Sequence, residues 1–552
     1  MAQYKTPGVY VKEVSTFPPS VAEVSTAVPA FIGYTETVNE GEIGEPIRIT
    51  SFLEYQTIFG GPQPASFSLS VSDPAKAESS LALSPTSQGA SMLMSQYMDM
   101  YFKNGGGACY VVSLGGYDSV PTVKQFQDAL DALHGEDEPT LYVFPDALQL
   151  GAGYYEVAKY ALKECNDLGD RFTIIDMPKD ADEATFRGGI KSDYLRYGAA
   201  YTPYLDTALN QHFDENKVMV SGLAGVQISD TGYYNTSANG LHVTYSGPKQ
   251  DAPQLSIVDG GSASTSIAIN GNHLTITVNG GAVQANTVLN KWTTFAGAND
   301  TNGFNMVAQG TGADDVTSGI TAEPLTYDTV NSGEVSLASL KQSKTGVYNA
   351  ALKLLGQQRV IAPPSPAMAG VYAAVDRERG VWKAPANRNL AAVVKPIKKI
   401  TNNQQDSLNV DPDGGMSINA IRTFTGQGTV VWGARTLMGN DNEWRYISVR
   451  RLFNMVEEST RKATSFAVFE PNDATTWLKV RGMIEAYLFG LYEQGAFAGS
   501  TPESAYYVNV GLGTTMTPQD ILEGRMYVEI GLAAVRPAEF IILKFSHKLQ
   551  EA

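Results

Sequence analysis

The run AEFIILKFSHK, residues 538–548, decides how the C-terminal part of this 552-residue chain is interpreted. It is too short to cross a bilayer, and its β-branched and aromatic residues favour an extended conformation. A strand of this kind pairs either with a sheet of its own subunit or with a sheet of another molecule. The sequence therefore predicts a strand at residues 540–545 and leaves its partner open.

Two long helical patterns precede this run. Apolar residues recur at steps of three and four between Tyr446 and Val456, which predicts an amphipathic helix with one apolar stripe. From Glu443 to Lys462 there are five basic residues against three acidic ones, so we expect the polar side of this helix to be positive and exposed. A second helix is predicted to begin at a cap at Asn472 or Asp473 and to end at Gly495.

Shorter elements are predicted around these helices. Residues 463–469 alternate enough to predict a strand between the two helices. Thr517 and Pro518 are typical of a helix start, with Thr as the cap and Pro at the first helical position. A strand is predicted from Arg525 to Leu532. These patterns make the C-terminal region α+β.

Composition limits the kinds of partner. The formal net charge is −17 and the pI about 4.8, which argues against sequence-independent binding to nucleic acid or to an anionic membrane. Cys109 and Cys165 lie in apolar surroundings and are predicted to be buried thiols. Residues 1–8 lack the apolar run of a signal peptide, and no segment has the length of a membrane-spanning helix. We therefore expect synthesis and assembly in the cytoplasm.

The rest of the chain changes character several times. Residues 8–14, GVYVKEV, predict a strand on an N-terminal arm, which Pro18 and Pro19 separate from the body. Residues 63–90 are rich in Ser, Ala and Pro and indicate a linker. From Ser91 helices and strands alternate, which is typical of a mostly parallel sheet with crossover helices. Residues 215–335 are poor in charge and favour an all-β insertion of the sandwich type.

The predicted fold is therefore an α+β multidomain chain, in which a discontinuous domain is interrupted by an α/β domain and an all-β insertion. The predicted segments are an N-terminal arm at 1–20, the discontinuous α+β domain at 21–62 plus 345–535, the linker at 63–90, the α/β domain at 91–212, the β-rich insertion at 213–344 and a C-terminal arm at 536–552.

No catalytic or metal-binding constellation stands out. The five histidines are scattered without the spacing of a metal site, and neither a phosphate-binding loop nor a nucleophile elbow is present. Asp146 and Asp176 follow predicted strands, where α/β enzymes place their active sites, but aspartates without a nucleophile or base are more often helix caps. We predict no enzyme activity, cofactor or metal, and keep an α/β hydrolase-like enzyme as an alternative.

Several longer motifs are rarer. They are YKTPGVY (4–10), VPAFIGY (28–34), AGVY (369–372), RGVWKAPAN (379–387), WGARTL (432–437), WRYISVRR (444–451), FEPN (469–472) and PAEF (537–540). Together they resemble the contractile tail sheath family of phage tails, type VI secretion and extracellular contractile injection systems. The match is strong over residues 1–60 and 360–552 and weaker in the α/β part, at 103–112, 170–172 and 199–201. It departs from the family pattern at Tyr204 and Pro366.

The resemblance implies a polymer. Sheath subunits stack as six-fold rings around an inner tube, and the arms of neighbouring subunits add strands to a sheet in the inner domain, here the discontinuous domain at 21–62 plus 345–535. The β-rich insertion would then lie outermost. The residues expected in the donated strands are Val9, Tyr10, Val11, Val14, Phe540, Ile541, Ile542, Leu543 and Phe545.

The resemblance also implies a mechanism and further partners. The extended sheath is metastable and contracts by repacking of its subunits, without nucleotide hydrolysis. A baseplate and a terminal cap protein complete a phage tail or an extracellular contractile particle. A positive helix of the inner domain would contact the tube, and the residues expected there are Arg450, Arg451, Arg461 and Lys462.

A third function remains open for the β-rich insertion. Its aromatic residues Tyr233, Tyr234, Tyr245 and Trp292 could stack on sugars, which would make the insertion a glycan-binding adhesin. Aromatic residues in such a segment are more often the core of a sandwich.

Overall fold

The computed structural model describes residues 21–223, 233–238, 240–245, 252–262, 264–308, 315–328, 334–411 and 414–543. These residues form two compact units. The first combines residues up to 65 with 89–212 and the chain from 357 onward, and the second combines 66–88 with 213–356. The arm residues Val9, Tyr10, Val11, Val14 and Phe545 lie outside the described residues.

The helices and strands are numbered in chain order. The helices are α1 (Phe52–Phe59), α2 (Met94–Lys103), α3 (Val123–Ala132), α4 (Gly153–Leu168), α5 (Glu183–Ile190), α6 (Ala285–Ala298), α7 (Leu337–Ser343), α8 (Thr345–Leu355), α9 (Ser365–Arg379), α10 (Asn402–Asn409), α11 (Ile447–Ala463), α12 (Ala474–Glu493), α13 (Pro502–Ala505) and α14 (Pro518–Leu522).

The strands are β1 (Pro29–Gly33), β2 (Pro46–Ile49), β3 (Ser68–Val71), β4 (Leu81–Leu83), β5 (Cys109–Ser113), β6 (Leu141–Val143), β7 (Phe172–Asp176), β8 (Gly198–Thr202), β9 (Leu205–Asn210), β10 (Met219–Ser221), β11 (Tyr233–Ala238), β12 (Leu241–Tyr245), β13 (Gln254–Asp259), β14 (Ser266–Asn270), β15 (His273–Val278), β16 (Ala282–Gln284), β17 (Phe304–Ala308), β18 (Asp315–Thr317), β19 (Ile320–Pro324), β20 (Thr326–Asp328), β21 (Val335–Ser336), β22 (Arg359–Ala362), β23 (Val393–Pro396), β24 (Ile418–Phe424), β25 (Gly428–Val431), β26 (Tyr506–Val510) and β27 (Val528–Leu532).

An eight-stranded sheet organises the first unit, in the order β2-β5-β1-β6-β7-β8-β24-β25. The strands from β5 to β24 in this order pair in parallel, and β2 and β25 run antiparallel at the two edges. Strands β1, β5 and β7 are buried at every position, as expected for parallel strands covered on both faces.

Helices cover both faces of this sheet. Alternate strand residues point to opposite faces, so Ala30 and Ile32 pack in one core and Phe31 in the other. Residues of α3, α4, α5 and α10 fill the first core. Residues of α1, α2 and α9 fill the second. Cys109 and Cys165 are buried free thiols, one in each core, as predicted.

The structure divides the chain differently from the predicted domains. Strand β1, from the segment assigned to the discontinuous domain, lies between β5 and β6 of the predicted α/β domain. Strand β24, from the C-terminal half, pairs with β8. The segments 21–62 and 91–212 and the C-terminal part therefore share one sheet, because strand pairing between distant segments leaves no local signal in the sequence.

The C-terminal part of the first unit has its own core. Strands β26 and β27 pack with α11 and α12 around residues such as Leu452, Ile484 and Val508. Asp473 caps α12 by accepting from the backbone N–H groups of Thr475 and Thr476, and Gly495 follows the helix with φ +84°, as predicted. The predicted strand at 463–469 is wrong, because α11 continues to Ala463 and a 3-10 turn follows.

The second unit contains the β-rich insertion together with residues 66–88. Two four-stranded sheets, β17-β12-β11-β20 and β14-β15-β13-β19, are described there, but helix α6 shows that the insertion is not all-β. Residues 63–90 are not a plain linker, since β3 and β4 join β10 and β21 in a further sheet. In the segment FSLSV (67–71), Phe67, Leu69 and Val71 are buried and alternate with two serines. The high serine content of the segment is typical of a linker, so composition alone did not indicate a strand.

Candidate assembly interface

Exposed apolar side chains are concentrated near the C-terminal end of the first unit. More than half of the large hydrophobic residues that are exposed among the described residues lie between 468 and 543. Such a concentration of exposed apolar side chains makes this segment a candidate for a protein interface. The members of this group are Val468, Phe469, Leu478, Phe489, Tyr507, Leu512, Leu522, Tyr527, Phe540, Ile541, Ile542 and Leu543.

The hairpin of β26 and β27 is the sheet within this region. Its five residue pairs run antiparallel from Tyr506 opposite Leu532 to Val510 opposite Val528. One face packs on α12, and on the other the Tyr507 hydroxyl donates to Glu529 at 3.1 Å. Within the described residues the sheet has only these two strands. Each outer edge therefore presents backbone groups to which a further strand could pair.

A groove lies between β27, α12 and the C-terminal end of α11. Its volume is about 890 Å³. Val528 and Ile530 of β27 and Ile484 of α12 line its apolar side, and the loop 467–472 forms its rim. A strand added to the free edge of β27 would place alternate side chains into this groove.

The described part of the C-terminal arm lies elsewhere and is exposed. Residues 540–543 form neither helix nor strand, and their side chains are 71% to 79% exposed. Phe540 and Ile541 line a second groove together with Trp432 and the segment 383–387. The predicted strand at 540–545 is thus absent from 540–543 in the single subunit, and residues 544 and 545 lie outside the described residues.

A buried ion pair fixes the point where this arm leaves the body. The Arg435 side chain is 4% exposed, and its Nε donates to both carboxylate oxygens of Glu539, at 3.0 and 3.1 Å. The same guanidinium donates to the carbonyl oxygens of Asn409 and Gly439. Glu539 is partly buried, whereas every described residue after it is exposed. We call this Arg435–Glu539 contact the arm clasp.

The packing of helix α11 contradicts the predicted tube contact at Arg450 and Arg451. Arg450 and Arg451 are each 3% exposed, because almost the whole circumference of this helix is buried. Arg450 lies 4.2 Å from the Trp444 ring centroid and donates to Asn454, and Arg451 pairs with the buried Asp376. Two buried, fully engaged guanidinium groups cannot meet an external surface. The prediction that the positive side of helix α11 is exposed was therefore wrong at Arg450 and Arg451.

The other two predicted tube-contact residues remain accessible. Arg461 has a side chain that is 67% exposed and pairs with Glu458 at 2.6 Å. Lys462 is 35% exposed and pairs with Asp137 at 2.7 Å and with Glu458 at 3.2 Å. Both lie at the C-terminal end of α11, where cations are favoured by the helix dipole. Their contact with a tube stays a prediction.

The two strand-end aspartates act as helix caps. Asp176 accepts from the backbone N–H of Ser365 at 2.7 Å, at the start of α9. Asp146 accepts from the backbone N–H of Tyr34 at 3.0 Å and from that of Leu93, just before α2. Burial raises the pKa of each carboxyl to about 7.

Three further observations bear on the alternative functions. Among the described residues, no group of three or more His, Cys, Asp and Glu side chains could hold a metal ion. No described helix has both the length and the hydrophobicity to span a bilayer. Tyr245 and Trp292 belong to the core of the insertion, with Trp292 on helix α6 rather than on a strand, and the side chains of Tyr233 and Tyr234 lie outside the described residues.

Comparison with known proteins shows similarity to tail sheath proteins. The C-terminal domain of the phage tail sheath family matches residues 439–548. The chain is 27% identical over 181 residues to the tail sheath protein of Vibrio phage KVP40, and 26% identical over 187 residues to that of Enterobacteria phage T4. Each alignment covers about a third of this chain, 32% and 33%, and about a quarter of the relative, 25% and 26%.

Solved structures match over nearly the whole chain. The contracted helical sheath of the anti-feeding prophage has a TM-score of 0.57 at 26% identity and covers 99% of this chain and 100% of its own. The contracted PVC sheath of an extracellular contractile injection system has a TM-score of 0.54 at 26% identity, with 100% and 99% covered. The resemblance to the contractile tail sheath family, indicated by the motifs, is confirmed.

The arm clasp predicts the effect of one substitution. Glu539→Gln should lower the free energy of unfolding by about 2 kcal/mol, because it leaves the buried Arg435 guanidinium without its carboxylate. It should also speed hydrogen exchange of the backbone around residue 539. Glu523→Gln is the matched control, since Glu523 pairs with Arg525 at the surface and should cost under about 0.5 kcal/mol. Equal effects of the two variants would contradict the clasp.

The buried caps predict a pH dependence. The native carboxyls of Asp146 and Asp176 keep their protons up to about pH 7, whereas unfolded aspartates lose them near about 3.9. The contribution of these two carboxyls to the free energy of unfolding should therefore fall as pH rises from about 4 to about 7, by about 1.4 kcal/mol per pH unit for each carboxyl.

Denaturant unfolding across this range tests the effect. The double variant Asp146→Asn with Asp176→Asn should flatten the pH profile relative to the unmodified protein. Asp128→Asn, at an exposed carboxylate paired with Lys124, should leave the slope unchanged. A double variant with the original slope would show that these carboxyls are not the source of the pH dependence.

Proposed function

We propose that this chain is the structural subunit of a contractile sheath that polymerises around an inner tube. One observation carries the proposal. The same chain presents a hairpin with free strand edges beside an empty apolar groove and, at another place, an exposed apolar arm. Its likeness to sheath structures over nearly its whole length supports it.

The two features are complementary between copies. An arm of one subunit that pairs with the hairpin of the next makes a heterologous contact, and repetition of such a contact builds rings or a helical polymer. Backbone hydrogen bonds hold the join, and alternate side chains set its register. The N-terminal residues 9–14 are proposed as a second donated strand. Six-fold rings, as implied by the family, are the proposed arrangement.

Contraction is proposed to draw on subunit packing alone. The extended polymer would be metastable, and repacking into a lower-energy lattice would drive the tube through the target envelope while the arms keep subunits connected. No step of this scheme needs a bound nucleotide. Structures that include a baseplate of the anti-feeding prophage match this chain, which supports a baseplate as a further partner. A terminal cap protein is proposed on the family resemblance.

The inner tube is proposed to contact the C-terminal end of α11. Arg461 and Lys462 are its accessible cations, and a pair of exposed charges contributes only about 0.2 to 1 kcal/mol. Repetition along many subunits makes the sum sufficient to hold the extended state.

Two deletions test the exchange of arms. A chain without residues 540–552, or one without residues 1–14, should give folded subunits that do not form tubes, because each lacks a donated strand. Sedimentation and negative-stain electron microscopy measure assembly, and circular dichroism checks the fold. Tubes of normal length from either deletion would contradict the role of that arm.

Paired substitutions refine the same test. In a donated strand alternate residues face the groove. One double variant is Phe540→Ser with Ile542→Ser, and the other is Ile541→Ser with Leu543→Ser. The critical concentrations for assembly of these two double variants should differ by at least about tenfold. The two pairs are matched controls for each other. Equal effects would indicate apolar association without strand pairing.

Charge reversal tests the tube contact. Arg461→Glu with Lys462→Glu should release the tube or trigger early contraction in particles assembled with tube and baseplate, because it replaces attraction by repulsion. Arg481→Glu, at an exposed pair on α12, is the control. Particles that remain extended, as judged by electron microscopy, would count against this contact.

A further inference from the structure

Phe469 is the most exposed apolar residue that the structure describes. Its side chain has a relative exposure of 103%, so it makes no packing contact within its own subunit. Its φ angle is +69°, in the left-handed region that bulky side chains rarely adopt. An aromatic residue that is both solvent-exposed and strained needs an explanation outside the subunit.

Neighbouring contacts hold the loop in this conformation. The Glu470 backbone N–H donates to the carbonyl of Ala467, and the Asn472 side chain donates to the carbonyl of Arg525 at 3.0 Å. The Trp477 indole donates to the Asn472 side chain at 2.7 Å. Asn472 therefore ties the loop to the segment just before β27 and to α12, and Phe469 lies among the residues that line the β27 groove.

The position of the groove identifies the occupant. It lies beside the free edge of β27, whose five residues match the length of a strand formed by residues 540–545. The described part of the subunit's own arm is rooted at the arm clasp and lines the other groove, near Trp432. The described part of a subunit's own arm thus does not occupy the β27 groove, and the arm of a second copy is the proposed occupant.

We propose that Phe469 closes over the C-terminal arm of a neighbouring copy once that arm has paired with β27. This inference rests on the proposed function and names the residue that anchors the exchange. Backbone pairing alone accepts any extended chain, whereas an aromatic cover over an apolar groove selects a strand with apolar side chains on one face. Phe469 thus contributes specificity as well as affinity.

The full chain with Phe469→Ala or Phe469→Gly tests the anchor. Both variants should fold with a melting temperature no lower than that of the unmodified subunit, since no native contact is lost, and Phe469→Gly should be the more stable because glycine adopts positive φ without strain. Both should raise the critical concentration for tube assembly by about tenfold or more. Leu478→Ala is the control, because Leu478 is 69% exposed on α12 and does not line the groove.

A photo-crosslinking residue identifies the occupant directly. A benzophenone amino acid in place of Phe469, in assembled full-length chains that mix isotope-labelled and unlabelled copies, should crosslink between copies to the peptide that contains residues 540–543. The same group at Leu478 should not. Crosslinks only to other peptides, or to the arm of the same copy, would overturn the proposal.

The deletion and the Phe469 variants test the arm exchange and the role of Phe469 separately. If tubes still form when residues 540–552 are deleted, the proposed arm exchange fails. If that deletion abolishes tubes while Phe469→Ala assembles normally and no crosslink to 540–543 forms, the exchange stands and the anchor role of Phe469 is wrong.

Discussion

The free backbone edge of β27 is the constraint on which the rest of the account depends. A strand edge exposes N–H and C=O groups that other chains can pair with, and soluble proteins normally cover or blunt such edges. In the described residues this edge has no strand beside it and borders an apolar groove. Residues 540–543 of the same molecule are apolar and exposed, and in the proposed polymer the arm of a second copy supplies the strand that this edge lacks.

The β26–β27 hairpin is packed against the rest of the first unit through helix α11. Helix α11 connects two cores, since Ile447 packs against the large sheet and Leu452, Met455 and Val456 pack against the hairpin side. Its buried arginines are satisfied inside the unit, Arg451 by Asp376 and Arg450 by aromatic rings and Asn454. Removing either partner of such a pair leaves an uncompensated charge. Helix α11 thereby joins the hairpin to the core of the main sheet within one unit.

Local chemistry was predictable from the sequence, and long-range pairing was not. The Asp473 cap and the Thr517 and Pro518 helix start follow from single residues and were confirmed. The placement of β1 between β5 and β6 depends on pairs such as Ala30 with Tyr110 and Ala30 with Tyr142, which are too far apart in the chain for a local pattern to predict. The exposed apolar arm could be predicted from its composition. Which arginines of α11 are exposed could not, because that depends on packing partners such as Asp376 and Trp444 from other segments.

Cryo-electron microscopy of tubes assembled from the purified full-length chain tests the central claim most directly. The account predicts density for residues 540–545 of one copy as a strand hydrogen-bonded to the β27 edge of another, with the groove beside it filled. Density in which these residues return to their own subunit, with no foreign chain at β27, would contradict it.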